Sequence, residues 1–272
     1  MHKTDLFIFR FFPLFILSYT FSVSIRLILA YTTKDSFWHT IGDRYIPILS
    51  PDGSLYGYNA KQLLLNNTCI NNDCYSIDYL IYFLVKYVGF DIDKVMYFTP
   101  AFLAPLVILP VMLIFKIYGF PKLGAIAGIF SALGYGYYSR SYLGYYDHDM
   151  LNIFFLLFAL YGIIATFEKK NPLYLLFSAI SLYGLYTWYH SALPLIVAFV
   201  GWSIFYTVLL LILKHKKFLF AGVLLILAII GGYVAIEKGY IETKKLSSYL
   251  ERYVQRDEIT SLKTKSGEYS FL

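Results

Sequence analysis

The stretch "SRSYLGYYDHDMLN" places charged side chains between two long apolar runs. Asp147 and Asp149 are two residues apart, and in an extended turn both carboxylates can converge on one divalent cation, which prefers oxygen ligands. Arg140 precedes Asp147 by seven residues, about two helical turns, so it could return to the same place and hold a phosphate or a carboxylate. A further acid is needed to complete a metal site, and Asp52 in "SPDGSLY" is the candidate.

The alternative interpretation is that this pair of acids lies in a solvated turn, because most charged side chains are exposed to solvent. The turn is short, however, so its charges lie at the apolar ends of two hydrophobic segments, where an unpaired charge is costly. An Asp-X-Asp pattern by itself is weak evidence, but this setting favours a functional site. His148, between the two acids, is predicted to be a spacer rather than a ligand.

The composition indicates what kind of protein must position these residues. Hydrophobic residues make up 58% of the chain and aromatic residues 20%, and the mean hydropathy is +0.60, which is typical of a membrane protein. A membrane-spanning helix needs about 20 mostly apolar residues, and the backbone in lipid must satisfy its own hydrogen bonds. We therefore predict an all-α, polytopic helical bundle. Its apolar runs lie near residues 6–31, 94–117, 122–138, 150–167, 172–188, 191–213 and 218–236.

The basic residues predict the orientation of the bundle. They fall in alternate connections between the apolar runs, at Lys3, Lys116, Lys122, Lys169, Lys170, Lys214, Lys216 and Lys217. Such residues are enriched on the cytoplasmic side, so the amino terminus is expected inside and the 139–149 turn outside. The net charge of +6 is then explained by topology and by contact with membrane lipid. We expect no nucleic-acid partner, because no basic face is interleaved with aromatics on a soluble domain.

The outer side is expected to carry a large first loop, residues 34–93, with helices lying along the membrane interface. Cys69 and Cys74 lie in this loop, and they form either a small disulfide in an oxidising compartment or two free thiols. Residues 1–240 are predicted to form the bundle of about seven helices. Residues 241–272 are predicted to be an outer amphipathic segment that enters a truncated loop.

These residues together carry a resemblance to a known family. "SRSYLGYYDHDMLN" resembles the second Asp-X-Asp motif of the oligosaccharyltransferase catalytic subunit family, specifically its bacterial PglB type. "SPDGSLYGYNAKQLL" is similar to the first outer-loop motif of the family, and "FSVSIRL", "AFLAPLVILPVMLIF" and "GLYTWYHS" also match in the same order. The likeness covers nearly all of residues 1–260.

The resemblance implies a glycosyltransferase with a GT-C-like transmembrane helix bundle. Its activity would be transfer of an oligosaccharide from a polyprenyl-pyrophosphate carrier to Asn in an Asn-X-Ser/Thr sequon of an acceptor protein or peptide. The implied cofactor is Mn²⁺ or Mg²⁺. The implied location is the bacterial inner membrane, with the active site facing the periplasm. A metal would stabilise the charge on the departing pyrophosphate, which is consistent with the carboxylates seen here.

The resemblance also assigns a role to each candidate residue. Asp52 would bind the metal and contact the acceptor amide, Asp147 would be a metal ligand, and Asp149 a ligand or a close neighbour of the ligands. Arg140 would support the catalytic site. The turn formed by Trp188, Tyr189 and His190 would lie where the lipid pyrophosphate binds. Without the resemblance, Trp188 and Tyr189 are better explained as aromatic residues of the membrane interface.

The chain also departs from the family pattern. The family has further spans, another outer loop with an essential Glu, and a soluble C-terminal domain, for which these 272 residues show no counterpart. We therefore expect an N-terminal fragment that does not glycosylate alone and that works with a separate C-terminal half. Two alternatives stay open at this point, a non-catalytic truncated remnant and a transporter or flippase-like membrane protein.

The predicted orientation can be tested by labelling a single cysteine. In a background with serine at positions 69 and 74, Tyr145→Cys should react with an impermeant thiol reagent in intact cells, because the 139–149 turn is expected outside. Lys169→Cys should react only after the membrane is disrupted, since its connection is expected inside. If the cysteine at position 145 did not react with the reagent in intact cells, the predicted orientation would be wrong.

Overall fold

A computed structural model describes residues 3–33, 40–41, 44–45, 50–69, 74–189 and 192–212. The predicted span at 218–236, the segment 241–272 and His190 lie outside the described residues. The chain forms two compact units, residues 1–190 and 191–272. In the second unit, one helix is described.

The described residues are mostly helical. Two short antiparallel strands, β1 (Thr40–Ile41) and β2 (Arg44–Tyr45), pair with each other in the first loop. The helices of the first unit are α1 (Lys3–Thr33), α2 (Pro51–Asn66), α3 (Ser76–Lys86), α4 (Ile92–Leu103), α5 (Ile108–Ile117), α6 (Pro121–Leu133), α7 (Tyr135–Tyr138), α8 (Asp149–Lys169) and α9 (Leu175–Trp188). The second unit contributes α10 (Leu193–Ile212).

Within the described part of the chain, three helical stretches are long and apolar enough to cross a membrane, which confirms the prediction of an all-α membrane protein. They are Phe11–Ile28 within α1, Ile92–Ile117 comprising α4 and α5, and Asp149–Lys169, which is α8. Helices α6 and α9 are apolar but have 13 and 14 residues, fewer than the roughly 20 that span a bilayer. The predicted run at 122–138 is divided because Gly134 adopts an extended conformation, with ψ of 133°, and ends α6.

Prolines explain the change of geometry between α4 and α5. Residues Ala104–Val107 form a 3₁₀ turn that joins the two helices without a break in the chain. Pro100, Pro105 and Pro110 each lack a backbone N–H, so the usual α-helical hydrogen bonds are incomplete along this stretch. The stretch remains one candidate span of 26 residues.

The first loop contains α2 and α3, which are joined by a disulfide between Cys69 and Cys74. Of the two alternatives left open by the sequence, the structure therefore shows the disulfide. Helix α3 packs against α2 through buried Ile77 and Ile81. The Asp78 carboxylate accepts hydrogen bonds from the Asn59 side chain and from the backbone N–H of Tyr75, at 3.1 and 2.9 Å.

Helices α8 and α9 approach each other closely through small residues. A side chain added at Gly162 would place its Cβ 2.7 Å from the Tyr174 backbone oxygen and 2.8 Å from the Ser178 nitrogen, so only glycine fits there. Ser178 and Ser181 of α9 donate hydrogen bonds to backbone carbonyls of α8, at 2.7 and 2.8 Å. Small and hydroxyl-bearing residues at a helix contact are typical of packing in membranes.

A buried arginine joins α1 to the end of α6 and to the following turn. The Arg26 side chain is 0% exposed. It donates hydrogen bonds to the backbone oxygen of Ala132 at 2.7 Å, to the Ser141 hydroxyl at 3.2 Å, and to the Ser141 backbone oxygen. Its guanidinium also lies 4.7 Å from the centre of the Tyr138 ring. A charge in an apolar interior requires such partners, so Arg26 fixes where the 139–149 turn begins.

Replacing this arginine should destabilise the bundle. In Arg26→Met the apolar volume is largely kept, but the Ala132 and Ser141 carbonyls lose their donor. A buried carbonyl left unpaired costs about 1–3 kcal/mol, so the midpoint of thermal unfolding in detergent should fall. Ser22→Ala, one turn earlier in α1, is the matched control, because the buried Ser22 hydroxyl has no hydrogen-bond partner among the described residues. Equal midpoints for wild type and Arg26→Met would contradict this account.

Candidate active site

The candidate site lies where several helices end. Asp52 is in the first turn of α2, and Asp147 directly precedes the α8 N-cap residue, His148. Trp188, the last residue of α9, donates a hydrogen bond from its indole nitrogen to the His148 backbone oxygen at 2.9 Å. The structure therefore brings Asp52, the candidate for the further acid, close to Asp147 across 95 positions of sequence. Their role as metal ligands stays a prediction.

The start of α2 is built to lie against the 139–149 turn. Ser50 caps the helix, accepting a hydrogen bond from the Gly53 N–H at 2.9 Å and donating one to the Tyr146 backbone oxygen at 3.2 Å. A Cβ at Gly53 would lie 2.8 Å from that same Tyr146 oxygen. The absence of a side chain at Gly53 therefore allows the helix end that carries Asp52 to approach the turn that carries Asp147.

The turn itself is held by contacts to α3 and α4. Gly144 has a φ of +77°, a conformation that favours glycine, and its N–H donates a hydrogen bond to the Tyr97 backbone oxygen at 2.9 Å. The Tyr146 side chain is fully buried, and its hydroxyl donates a hydrogen bond to the Ile77 backbone oxygen at 3.0 Å. These contacts fix the backbone immediately before Asp147.

An acid–histidine cluster, defined as Asp52, Asp147 and His148, forms where α2 meets the turn. One ligand atom from each residue lies within 4.8 Å of the other two. His148 Nδ1 is 2.6 Å from Asp147 Oδ1 and 3.8 Å from Asp52 Oδ2. Asp147 and His148 are buried, whereas the Asp52 side chain is 52% exposed. The cluster thus has a buried side and a side open to a substrate.

The charges of the cluster suit a divalent cation. Burial raises the pKa of Asp147, but the His148 ring, the Ser50 hydroxyl and the Asp149 backbone N–H lower it by more, so Asp147 stays ionised. Among the described residues, the buried Asp147 Oδ1 has no hydrogen-bond partner of acceptable geometry. Two carboxylates and an imidazole are ordinary metal ligands, so the donor set fits a divalent metal.

Arg140 and Asp149 form a pair beside the cluster. Arg140 donates a hydrogen bond from Nε to Asp149 Oδ2 at 2.8 Å, and its Nη2 lies 2.7 Å from the same oxygen. The Asn152 amide donates a hydrogen bond to Asp149 Oδ1 at 3.3 Å. Asp149 is therefore not among the three possible ligands, although its Oδ1 lies 3.5 Å from His148 Nε2. The predicted ligand role of Asp149 stays a prediction, as does the supporting role of Arg140.

Trp188 and Tyr189 contact His148 on two sides. In addition to the hydrogen bond from Trp188, the Tyr189 ring stacks on the His148 ring, with centres 3.6 Å apart and planes inclined by 7°. Trp188 is buried at 5% exposure. Both aromatics thus border the cluster, and their proposed role in binding a lipid pyrophosphate stays a prediction.

Residue type and spacing do not reveal every side chain that borders the cluster. They favour a spacer role for His148, which stays a prediction, and the structure places its ring close to both Asp147 and Asp52. Tyr56 is not among the predicted site residues, and its hydroxyl is 3.1 Å from His148 Nδ1. Burial raises the pKa of Tyr56 well above its ordinary value, and the Asp147 and Asp52 charges raise it further, so the phenol stays protonated. The position of Tyr56 one turn after Asp52 on a helix is the signal that could have revealed it.

Apolar helices whose ends surround an Asp–Asp–His cluster define a membrane protein with a candidate catalytic site at one end of its helices. The sequence profile described as "Oligosaccharyl transferase STT3, N-terminal" matches residues 73–251, more than half of the chain. The protein therefore belongs to the oligosaccharyl transferase STT3 family.

Two curated relatives agree with this assignment. The undecaprenyl-diphosphooligosaccharide–protein glycotransferase of Campylobacter jejuni serotype O:2 is 30% identical over 217 residues, 79% of this chain. The protein of the same description from Campylobacter jejuni strain RM1221 is 31% identical over the same share. The chain spans about 30% of the length of these two relatives.

Because α2 approaches the turn so closely at Gly53, adding one methyl group at this position should disturb metal binding. Gly53→Ala should push Asp52 away from Asp147, because the added Cβ meets backbone at Tyr146, and Mn²⁺ binding measured by electron paramagnetic resonance should weaken by about tenfold or more. Gly57→Ala is the control on the same helix. Its Cβ meets the flexible end of Met96, which can move aside. Equal effects of the two substitutions would refute this role of Gly53.

Proposed function

We propose that this protein contributes the lipid-linked-oligosaccharide and metal-binding part of an oligosaccharyltransferase. The reaction would be transfer of an oligosaccharide from a polyprenyl-pyrophosphate carrier to Asn in an Asn-X-Ser/Thr sequon. The observation that carries the proposal is the convergence of Asp52 and Asp147, from two distant segments, in a chain of the STT3 family. Both relatives are named as undecaprenyl-diphosphooligosaccharide–protein glycotransferases.

Asp52 and Asp147 would hold the Mn²⁺ or Mg²⁺ ion from opposite sides of the cluster. Such an ion would stabilise the negative charge that develops on the departing pyrophosphate. Asp147, buried and ionised, would supply a fixed ligand. The half-exposed Asp52 would bind the ion and also orient the acceptor amide, because its carboxylate is accessible from outside the bundle.

Arg140 and the aromatic residues would serve the other substrate. The Arg140 side chain is 57% exposed, so it can present a positive charge to a phosphate while its Nε remains bonded to Asp149. Tyr189 continues the chain from α9 at the border of the cluster, next to His190. Binding of the lipid pyrophosphate near Trp188, Tyr189 and His190 would bring the sugar carbon towards Asp52.

The membrane arrangement belongs to the same proposal. Arg26 of α1 contacts the last turn of α6, and Trp188 at the end of α9 contacts His148 at the start of α8. With the amino terminus in the cytoplasm, the side of a bacterial inner membrane that carries these contacts is the periplasm. We propose residues 1–240 as the membrane bundle, residues 241–272 as an outer segment, and a separate C-terminal half as the partner that reads the sequon.

The proposed reaction can be tested with acid-to-amide substitutions. The full chain is reconstituted with a C-terminal half from the same family, and is given lipid-linked oligosaccharide, Mn²⁺ and a fluorescent sequon peptide. Asp52→Asn and Asp147→Asn should each lower the rate by roughly a hundredfold or more, because each removes a charged ligand needed in the transition state. Asp93→Asn, in the first turn of α4, is the matched control and should keep the rate of the unmodified chain.

Two results would count against the proposal. Unchanged glycosylation in both Asp52→Asn and Asp147→Asn would remove the cluster from the reaction. The transporter alternative would be favoured by a different result. In that case the chain would move lipid-linked oligosaccharide across the membrane of vesicles and would transfer none to peptide under any condition.

A further inference from the structure

The imidazole of His148 has no assigned function in the proposed reaction, yet it lies between the two carboxylates. We propose that His148 Nδ1 is itself a ligand of the divalent metal, so that the ion is held by one nitrogen and two carboxylates. This inference rests on the proposed function, because it concerns the same site. It assigns Asp149 the task of positioning His148 rather than binding the ion.

The first support is the relation of Nδ1 to the two aspartates. Neighbouring ligands of one six-coordinate ion lie about 3 Å apart, given bonds of about 2.1 Å. His148 Nδ1 is 2.6 Å from Asp147 Oδ1 and 3.8 Å from Asp52 Oδ2, distances that bracket this value. One ligand atom from each of the three residues therefore lies close enough to share one ion.

The second support is what surrounds the two nitrogens of the His148 ring. Nε2, which faces away from the proposed ion, lies 3.5 Å from Asp149 Oδ1, and metal-binding histidines commonly have a carboxylate beside their second ring nitrogen. The Tyr56 hydroxyl lies 3.1 Å from Nδ1, within hydrogen-bonding distance. Binding of a metal would replace this single hydrogen bond.

The third support is that the ring cannot easily turn away. The Tyr189 ring covers one face of the imidazole at 3.6 Å, and Trp188 holds the His148 backbone oxygen. The imidazole is 9% exposed. Arg140 in turn holds Asp149, which faces Nε2. A carboxylate–histidine–metal arrangement of this kind fixes both the tautomer and the direction of the ligand.

A nitrogen ligand changes which metals the site prefers. Carboxylate-only sites suit Mg²⁺, whereas imidazole favours transition metals. We therefore expect this protein to bind Mn²⁺ in preference to Mg²⁺. Replacing the imidazole by a third carboxylate, in His148→Asp, should keep Mn²⁺ binding while raising the affinity for Mg²⁺ relative to Mn²⁺.

The test uses the full chain, purified without a histidine tag, with Mn²⁺ alone as the probe. Electron spin-echo envelope modulation of bound Mn²⁺ should show coupling to ¹⁴N in the wild-type protein. His148→Ala should lose this coupling and weaken Mn²⁺ binding by about tenfold or more. Asp149→Asn should weaken binding to a similar extent but keep the ¹⁴N coupling, because it removes a positioning group and not the ligand. His215→Ala, in a connection predicted to lie on the other side of the membrane, should change neither result.

The outcomes separate this inference from the proposed function. Wild-type protein that binds Mn²⁺ without ¹⁴N coupling overturns the role of His148 and leaves the two-aspartate site in place. Wild-type protein that binds no Mn²⁺ overturns both. The wild-type spectrum decides by itself, so the conclusion does not depend on whether His148→Ala folds.

Discussion

The arrangement of this protein depends on the placement of one buried cation. Arg26 has no access to solvent, and an arginine in an apolar interior is tolerated only where carbonyls, hydroxyls or rings surround it. Its partners come from the last turn of α6 and from Ser141, so α1 is held against both at Arg26. The turn that carries Asp147 therefore starts from a fixed point. Side chains on this turn gain the rigidity of three packed segments.

From that fixed point, a series of contacts leads to the cluster. Gly144 and Tyr146 attach the turn to α4 and α3, and Ser50 attaches the start of α2 to the turn. As a result, the two acids differ in how deeply they are buried. Asp147 is held deep in this frame, whereas Asp52 lies at its edge with half of its side chain exposed. The cluster therefore has one firmly held side and one side that is accessible from outside the bundle.

The sequence predicts those parts of the fold and of the site that depend on residues close together in the chain. The helices are predicted by long apolar runs, which are local patterns. Asp52 and Asp147 are predicted by residue type, spacing and the resemblance to the family. The ring of His148 is placed by Tyr189, Tyr56 and Asp149, and two of these are about 40 and 90 residues away. No pattern of neighbours predicts such contacts. The early end of α6 likewise depends on the conformation of Gly134, which the apolar run conceals.

The disulfide between Cys69 and Cys74 bears on the order in which the protein is assembled. The bond closes a loop of only a few residues, so its formation needs none of the later helices. Both cysteines precede α4, and a chain that is made from its amino terminus exposes them before α8 and α9 exist. Thiol oxidation can therefore take place early in biogenesis. The helix that carries Asp52 can be tied to α3 before the turn that carries Asp147 has been synthesised.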